Sequence, residues 1–504
     1  MTEPYTPDWS SLRRHQTPQW LRDGKFGIYT HWGPYSVPGI GPNVSWYPHN
    51  MYRPGTAQHA AHAAEYGDPS EFGYKDFIPL FTADKFDPDE WADLFHGAGA
   101  RFAGPVAEHH DGFPLWDTKF GEWNAAKQGP KRDIVRDLEV AFRAKGMKYM
   151  VAMHHAENWW FYPHWIKGTD TSDPRFADLY GEIHNTDIRH VSEDWDDHNI
   201  LTRQKEWTSQ DMPNKAFLDR WMARLKELVD EYGPDYIWFD FGLAAVPDSY
   251  KKNFLSYYYN KEHEWDREVM ISYKAHNLPP GTGLVDFELG GMSQQTYFEW
   301  ITDTTIDDGS GWGYMREENF KTARDLIHYL VDNVSKNGNM LLNVGPRPDG
   351  TIPDGAKETL RGIGRWLEVN GEAIYDTTPW HRYGEGPTRM TTEGHFADTK
   401  EKVRYTCDDF RFTTKGNAIY AIAMEEPRPN FTIEAFAEKR RQHESFGFNS
   451  FTGFYPSQIQ SVQMLGVDGE LSWRLTDRGL NIDRPEKLPC EHAFAIRVSC
   501  RDDL

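Results

Sequence analysis

Short apolar runs alternate with amphipathic helical segments through the first three quarters of the chain. Helical spacing is clear at 133–145 and 216–232, and each of these segments leads into a short apolar run. Alternation of this kind is typical of parallel βα units. Seven strand-like runs are evident, at 26–32, 101–110, 148–153, 236–239, 269–273, 284–289 and 340–344.

Polar residues follow nearly every one of these runs. An open doubly wound sheet would gather such residues at one switch point, whereas a barrel mounts them around a whole face. The pattern therefore predicts an imperfect eight-stranded (β/α)8 barrel. Its active site is expected at the carboxyl ends of the strands.

The pattern changes after residue 380. Short β-rich segments at 404–405, 418–424, 461–465 and 493–498 are separated by turn residues, without helical spacing between them. This predicts an antiparallel β-sandwich. The expected organisation is a catalytic barrel over 1–380 and a β-sandwich domain over 381–504.

Charge and composition argue against several kinds of binding partner, and they bear on cellular location and on cysteine chemistry. The net charge is −22, which repels phosphate backbones and anionic membranes, so neither nucleic acid nor a membrane is an expected partner. The first 22 residues lack the apolar core of a secretory signal, which makes a cytoplasmic location the default, or a secreted or periplasmic one if a signal was removed. The 3 cysteines supply neither a disulfide framework nor a thiolate metal cluster.

Polar side chains at the strand ends form the candidate site. Asp240 directly follows the apolar run 236–239. It is either a catalytic carboxylate or only the N-cap of the next helix. Six strands that end this way predict one shared pocket. The residues concerned are His31, His109, His110, His155, Asp240, Lys274 and Glu288.

Two chemistries suit this set of residues. Metal-assisted hydrolysis would use the histidines, but His31 stands alone before Trp32, and the adjacent His109 and His110 point to opposite sides of an unbroken strand. Glycoside hydrolysis needs two carboxylates, with other polar and aromatic groups to bind the sugar. It also accounts for a chain with 20 tryptophans, so no metal and no cofactor are expected.

Several long motifs resemble those of glycoside hydrolase family 29, the retaining α-L-fucosidases. They appear in the order of that family and cover about 20–380. They read KFGIYTHWG, EHHDGFPLWDTKF, WNAAKQGPKRDIV, YIWFDFG, SGWGY, NGNMLLNVGPRPDG and GRWLEVNGEAIYDTTPW. The resemblance implies a distorted (β/α)8-like barrel followed by a β-sandwich.

The resemblance also implies roles for individual residues. Asp240 matches the family's nucleophile, and Trp238 of the same motif is expected beside the fucose. The remaining matches are ligands of the sugar hydroxyls or aromatic contacts around its C6 methyl group. They are His31, His109, His110, His155, Trp46, and Trp312 or Tyr314.

Three positions depart from the family's pattern or leave the assignment open. Ser45 stands where many members have Glu, and Lys274 is the nearest match to an Arg, although lysine cannot make a bidentate contact. For the acid/base, Glu288 is favoured over Glu299, because Glu288 lies at a strand end before two glycines.

The implied function is exo-acting, retaining hydrolysis of terminal α-L-fucosyl residues, with carbohydrate as the partner. The alternatives are a related α-L-galactosidase, a metal-dependent barrel hydrolase and a fucose-binding protein without activity. The polar stretch 163–213 is expected to cross the active face and to shape leaving-group specificity.

Overall fold

The computed structural model describes most of the chain. Within the described part, no helix combines the length and the apolarity needed to cross a membrane. Much of the polar stretch 163–213, namely 185–211, lies outside the described residues. The described residues are 3–184, 212–274, 276–308, 311–400, 402–437, 441–445, 448–452, 454 and 457–501.

Eight parallel strands close into a barrel. Each strand pairs with the next along the chain, and β8 pairs back onto β1. This confirms the predicted barrel. The strands are β1 (Phe26–Thr30), β2 (Phe102–Glu108), β3 (Lys148–Met153), β4 (Tyr236–Phe239), β5 (Met270–Lys274), β6 (Leu284–Asp286), β7 (Trp300–Thr305) and β8 (Gly338–Val344).

Side chains alternate between the barrel interior and the surrounding helices. On β4, Tyr236 and Trp238 pack inside the barrel, while Ile237 and Phe239 pack in the outer core. A strand has a side-chain period of two, so the next inward position is 240. The alternation therefore directs Asp240 toward the barrel axis at the end of β4.

Helices surround most of the barrel. Asp87 caps the helix Pro88–Gly97, since its side chain accepts hydrogen bonds from the main-chain N–H groups of Asp89 and Glu90. No helix is described between β5 and β6 or between β6 and β7, so the (β/α)8 pattern is distorted on that side. The longer helices are Ala57–Glu65, Pro88–Gly97, Ile134–Ala144, Lys215–Tyr232, Asp248–Trp265, Ala323–Ser335 and Asp354–Asn370. The short helices are Trp9–Leu12, Gln19–Gly24, Tyr47–Asn50, Asn158–Phe161, Ala177–Tyr180 and Ala397–Lys400.

The C-terminal part is antiparallel, as predicted. One sheet has the order β15-β18-β11-β10-β9, a second has the order β12-β17-β16, and β13 pairs with β14. Residues of the first two sheets share one apolar core, which gives a sandwich. The strands are β9 (Thr378–Glu385), β10 (Phe410–Lys415), β11 (Ala418–Ala423), β12 (Asn430–Ile433), β13 (Arg441–Ser445), β14 (Phe448–Thr452), β15 (Ile459–Met464), β16 (Trp473–Thr476), β17 (Gly479–Asp483) and β18 (Phe494–Cys500).

The strand predicted at 404–405 is wrong. These residues belong to no strand. Tyr405 instead packs against the outer core of the barrel, and the guanidinium of Arg411 lies over its ring at 4.9 Å. β9 begins at Thr378, so this strand of the second domain spans the boundary predicted between 380 and 381.

Candidate active site

Three buried histidines gather where the first three strands end. The ring centroids of His31 and His109 lie 5.4 Å apart, those of His31 and His154 5.3 Å, and those of His109 and His154 4.7 Å. The ring of Trp238 lies 5.1 Å from that of His154 and packs inside the barrel. The three histidines thus form a polar cluster that packs on the ring of Trp238.

A bulge at the end of β2 directs His109 into this cluster. Val106 pairs with Ala152 and Glu108 pairs with Met153, so two steps on β2 match one step on β3. Such a bulge reverses the alternation beyond it. Glu108 then lies on the outer side with Met153, and His109 takes an inward position. His110 follows after the strand has ended, so both histidines reach the same pocket.

His110 and Asp240 form the central ion pair. The Nε2 of His110 lies 3.3 Å from the Oδ2 of Asp240 and 3.5 Å from the Oε2 of Glu157. The Nδ1 of His110 donates to the carbonyl of His154 at 3.2 Å. Both ring nitrogens therefore act as donors, which requires the imidazolium form. Burial opposes this charge, but Glu157 and Asp240 outweigh it and raise the pKa of His110.

Asp240 is ionised in the resting site. Burial would raise its pKa, but the hydrogen bond from His110 and the positive charges of His110 and Lys274 hold the pKa below its usual value. The side chain occupies an N-cap position before the turn Phe241–Ala245, yet it makes no capping hydrogen bond. Its partner is His110, so the capping alternative is wrong.

His31 presents a hydrogen-bond acceptor to the pocket. Its Nδ1 lies 2.9 Å from the Oδ1 of Asn343, whose Nδ2 donates to the hydroxyl of Thr305. Nδ1 must therefore carry the proton, and Nε2 keeps its lone pair. Burial lowers the pKa of His31 to about 4, so the ring remains neutral. Sugar hydroxyl groups are suitable donors to that lone pair.

Glu288 is a second carboxyl group with the opposite protonation. It follows β6 on the inward side, and its Oε2 lies 3.4 Å from the Nζ of Lys274. Burial raises the pKa of Glu288 to about 8; the charge of Lys274 opposes this shift, while Asp303 and Asp240 add to it. Of these two carboxyl groups, Asp240 is therefore ionised and Glu288 protonated at neutral pH.

The predicted contact of Lys274 with the substrate needs correction. The Nζ also donates to the Oδ1 of Asp286 at 2.8 Å and to the Oδ1 of Asp303 at 2.6 Å. Lysine has three donors, and these two bonds and Glu288 engage all of them. Lys274 is fully buried, so it lies beneath the pocket and supports Glu288.

His155 also lies away from the pocket. Its Nδ1 is 2.6 Å from the Oε1 of Glu108, and its ring stacks on Phe217 at 5.0 Å. Met150 and Ala152 of β3 face inward, so the inward residue beyond the strand is His154. The predicted site residue is therefore one position off. His154 could have been found by continuing the two-residue alternation of β3.

Two aromatic side chains, Trp312 and Trp46, lie beside the histidines. Trp312 is 5.2 Å from His31 and Trp46 is 5.5 Å from His110, both between ring centroids. The N–H of Ser45 donates to the carbonyl of Trp312, which joins the two loops. Together they make an apolar wall suited to a sugar face or a methyl group.

Glu299 lies at the other end of the barrel. It precedes β7, and its Oε1 pairs with the Nε of Arg22 at 2.7 Å. A residue at the amino end of a barrel strand is separated from the catalytic face by the length of the barrel. The alternative assignment of Glu299 as the acid/base therefore finds no support in the geometry.

Among the residues that the structure describes, two groups of ligand atoms are close enough to hold a metal ion. They are His31, His109 and His154, and separately His110, Glu157 and Asp240, with the ligand atoms of each group within 4.8 Å of one another. The second group already forms an ion pair, as described above. The same atoms can bind the hydroxyl groups of a sugar, so this geometry alone does not select a metal. Glu157 and Asn343 are further site residues that strand-end reasoning missed.

Comparison with known proteins gives a consistent picture. Residues 1–372 match the family model described as α-L-fucosidase, and 398–499 match the α-L-fucosidase C-terminal domain. The tissue α-L-fucosidase of Homo sapiens is 30% identical over 98% of this chain and 92% of its own length. The plasma α-L-fucosidase of Pongo abelii is 32% identical over 98% and 93%. The structure of Thermotoga maritima α-fucosidase in complex with fucose superposes with a TM-score of 0.72, at 30% identity, over 98% of this chain and 100% of that one.

Proposed function

The chain belongs to the α-L-fucosidase family of glycoside hydrolases, family 29, and we propose that it releases terminal α-L-fucosyl residues from carbohydrates with retention of configuration. The observation that carries the proposal is the opposite protonation of two buried carboxyl groups. The ion pair with His110 keeps Asp240 ionised, and burial keeps Glu288 protonated. Retaining glycosidases need one carboxyl group in each state.

The first displacement forms a covalent intermediate. A carboxylate oxygen of Asp240 attacks C1 of the α-L-fucoside, and the bond from C1 to the leaving oxygen breaks. Glu288 gives its proton to that oxygen, so the aglycone departs as a neutral alcohol. The fucosyl group is then β-linked to Asp240, and Glu288 is a carboxylate.

The second displacement releases the sugar. Glu288 removes a proton from water, the water oxygen attacks C1, and Asp240 leaves as a carboxylate. The product is α-L-fucose, with net retention. The charge of Asp240 helps to raise the pKa of Glu288. Since that charge is absent from the ester, Glu288 holds its proton less tightly in the intermediate, as a general base requires.

The remaining site residues bind the sugar in this proposal. The Nε2 of His31 accepts a hydrogen bond from a sugar hydroxyl group, and His109 and His154, both kept neutral by burial, supply further polar contacts. Trp46 and Trp312 contact the apolar face and the methyl group. An α-L-galactoside would place a hydroxyl group against this wall, which makes it the poorer substrate.

The decisive experiment compares three variants on an activated aryl α-L-fucoside, with and without azide. Asp240→Ala should be nearly inactive without azide, because the enzyme's own nucleophile is gone, and any turnover that azide restores should give the inverted β-fucosyl azide by direct attack on C1. Glu288→Ala should lose about 10²–10⁴-fold on substrates that need an acid, and azide should restore turnover to give an α-fucosyl azide. Glu299→Ala is the matched control and should resemble wild type.

The same assay addresses the alternatives. Inactivity of wild type on the fucoside would contradict the proposal. Loss of activity in EDTA, restored by a divalent ion, would favour the metal-dependent hydrolase and return His31, His109 and His154 to the role of ligands. A β-configured azide product from Glu288→Ala, or azide rescue of Glu299→Ala, would contradict the assigned roles.

A further inference from the structure

A segment of the C-terminal domain lies against the turn that carries Glu288. Beyond β9 the chain returns to the barrel at 394–398. The N–H of Phe396 donates to the carbonyl of Glu288 at 2.7 Å, and the N–H of Asp398 donates to the carbonyl of Leu289 at 3.0 Å. Gly291 and Gly394 exchange a pair of hydrogen bonds. The main chain around Glu288 is thus held by a segment distant in sequence.

The two glycines after Glu288 permit this close approach. A Cβ atom on Gly290 would lie 2.6 Å from the carbonyl oxygen of Gly394 and 2.5 Å from that of Phe287, so no side chain fits there. Leu289 has φ +43° and Phe396 has φ +59°, a backbone region that such residues rarely adopt. Their hydrogen bonds across the contact maintain this conformation.

His395 makes a direct contact with the turn that carries Glu288, here called the acid turn. Its Nδ1 accepts a hydrogen bond from the main-chain N–H of Glu288 at 3.0 Å. The ring packs against Phe241, which follows the nucleophile, and against Phe287, with centroid distances of 5.3 and 5.5 Å. His395 therefore touches residues beside both carboxyl groups.

The protonation of His395 suits this contact. Because Nδ1 accepts, the ring proton must be on Nε2. Burial, followed by the positive charge of Lys274, lowers the pKa of His395 to about 4. The ring thus stays neutral, and Nδ1 remains an acceptor, above about pH 4, which includes the range from there to about pH 8 in which Glu288 carries its proton.

We propose that His395, supplied by the C-terminal domain, is a positioning residue for the acid/base Glu288. It fixes the main chain of Glu288, together with the bonds from Phe396 and Asp398, so that the carboxyl group meets the leaving oxygen. The inference rests on the proposed function, because it requires Glu288 to be the acid. It also makes the C-terminal domain part of the active site.

The test uses the full-length enzyme and a series of aryl α-L-fucosides whose leaving phenols span a wide range of pKa. His395→Phe keeps the packing and removes the acceptor. Its kcat/KM should fall about 10–100-fold for the most basic leaving group, as a misplaced catalytic group does, and little for dinitrophenolate, which needs no acid. The dependence on leaving-group pKa should therefore become steeper.

Two further variants distinguish a positioning role of His395 from a loss of stability or of local packing. The amide oxygen of His395→Asn can take the place of Nδ1, so this variant should recover most of the loss. Glu393→Ala removes a contact of the same segment with Ser293 without touching the acid turn, and its kcat/KM should match wild type for every substrate. Melting temperatures are measured for all variants.

The outcomes distinguish the two hypotheses. If Glu288→Ala does not steepen the leaving-group dependence, the acid assignment fails and the inference fails with it. If Glu288→Ala steepens it but His395→Phe changes all substrates equally, or none, only the role of His395 is overturned. Failure of His395→Asn to recover activity, with an unchanged melting temperature, would also overturn it.

Discussion

Two adjacent histidines after β3 occupy different environments. His154 faces the pocket beside Asp240, with its Nε2 3.7 Å from the Oδ2 of Asp240, whereas His155 pairs with the buried Glu108. His154→Ala should lower kcat/KM on an aryl fucoside by about 10²-fold with a nearly unchanged melting temperature, since one preorganised polar contact is lost. Steady-state kinetics and a thermal melt measure both quantities.

His155→Ala should show the reverse pattern. Removing the ring leaves the carboxylate of Glu108 with Arg224 as its ion-pair partner. Loss of a buried hydrogen bond to a charged group should reduce the free energy of unfolding by about 1–3 kcal/mol. A urea titration measures this change, and kcat/KM per folded molecule should remain within a few-fold of wild type. A catalytic defect as large as that of His154→Ala would contradict the assignment.

The protonation of Glu288 predicts the alkaline limb of the pH profile. Attack by Asp240 requires Glu288 to be protonated, so kcat/KM should fall as the pH rises through about 8, the pKa to which burial raises this group. Asp303→Asn should move the limb to lower pH by about 1–2 units. It removes a negative charge near Glu288 and also frees Lys274 to interact with it.

Tyr29→Phe is the matched control for this prediction. The hydroxyl of Tyr29 donates to the Oδ2 of Asp303 at 2.9 Å, so the variant removes the bond and keeps the charge. Its alkaline limb should stay close to that of wild type. Unchanged limbs in both variants would show that Asp303 does not influence the acid.

The sequence predicts site residues well where a strand keeps its alternation. Asp240 and His31 follow this rule, because Trp238 and Tyr29 two positions earlier face inward. The rule would also have selected His154 over His155. It fails at His109, because the bulge beside Val106 depends on pairing with β3. The burial of Lys274 could not be predicted, since Asp303 lies on a strand that the apolar pattern missed.

One strand and one long helix were not predicted, because their buried faces carry polar residues. β7 (Trp300–Thr305) carries the inward-facing Asp303, which pairs with Tyr29 and Lys274, and three threonines. Thr302 donates to the carbonyl of Phe287, and Thr305 donates to the carbonyl of Gly311. The helix Asp248–Trp265 was also missed, because its buried face carries tyrosines. The hydroxyl of Tyr258 donates to the carbonyl of Pro234 at 2.8 Å, and that of Tyr259 donates to the carbonyl of Thr282 at 2.6 Å. The seven barrel strands with apolar runs and the helices at 133–145 and 216–232 were predicted correctly.

The capping of the helix Pro88–Gly97 gives a prediction at this scale. Asp87→Ala should lower the free energy of unfolding by about 1 kcal/mol, because two N–H groups lose their acceptor. Asp87→Asn retains a capping oxygen and should recover most of that loss in a urea titration. The helix is remote from the pocket, so kcat/KM should be unchanged. Equal stability of the Ala and Asn variants would contradict the capping role.

At the scale of the whole molecule, one strand joins the two domains. Tyr420 and Ile422 of β11 pack into the outer core that surrounds the barrel strands, while Ile419 and Ala421 pack into the core of the sandwich. Both faces of β11 are buried, so neither core is complete without it. The return of 394–398 to the acid turn adds a second connection. The domains should therefore unfold together, and the sandwich contributes to catalysis through the barrel.

A buried ion pair across this junction gives the final prediction. Arg411 on β10 donates through Nε to the Oδ1 of Asp332 at 2.5 Å, and Asp332 lies on the barrel helix Ala323–Ser335. Removing one partner leaves a charge buried in the junction, so Arg411→Met should cost about 2–4 kcal/mol; Lys336, which also pairs with Asp332, limits the loss.

Urea unfolding followed by tryptophan fluorescence should show one transition at a lower midpoint for Arg411→Met. Arg428→Met is the matched control, because Arg428 pairs with Asp408 on the exposed surface of the same domain, and it should leave the midpoint unchanged. A split into two transitions for wild type would contradict the view that the domains fold as one unit. Equal midpoints for the two variants would instead show that the buried pair adds nothing to the stability of the junction.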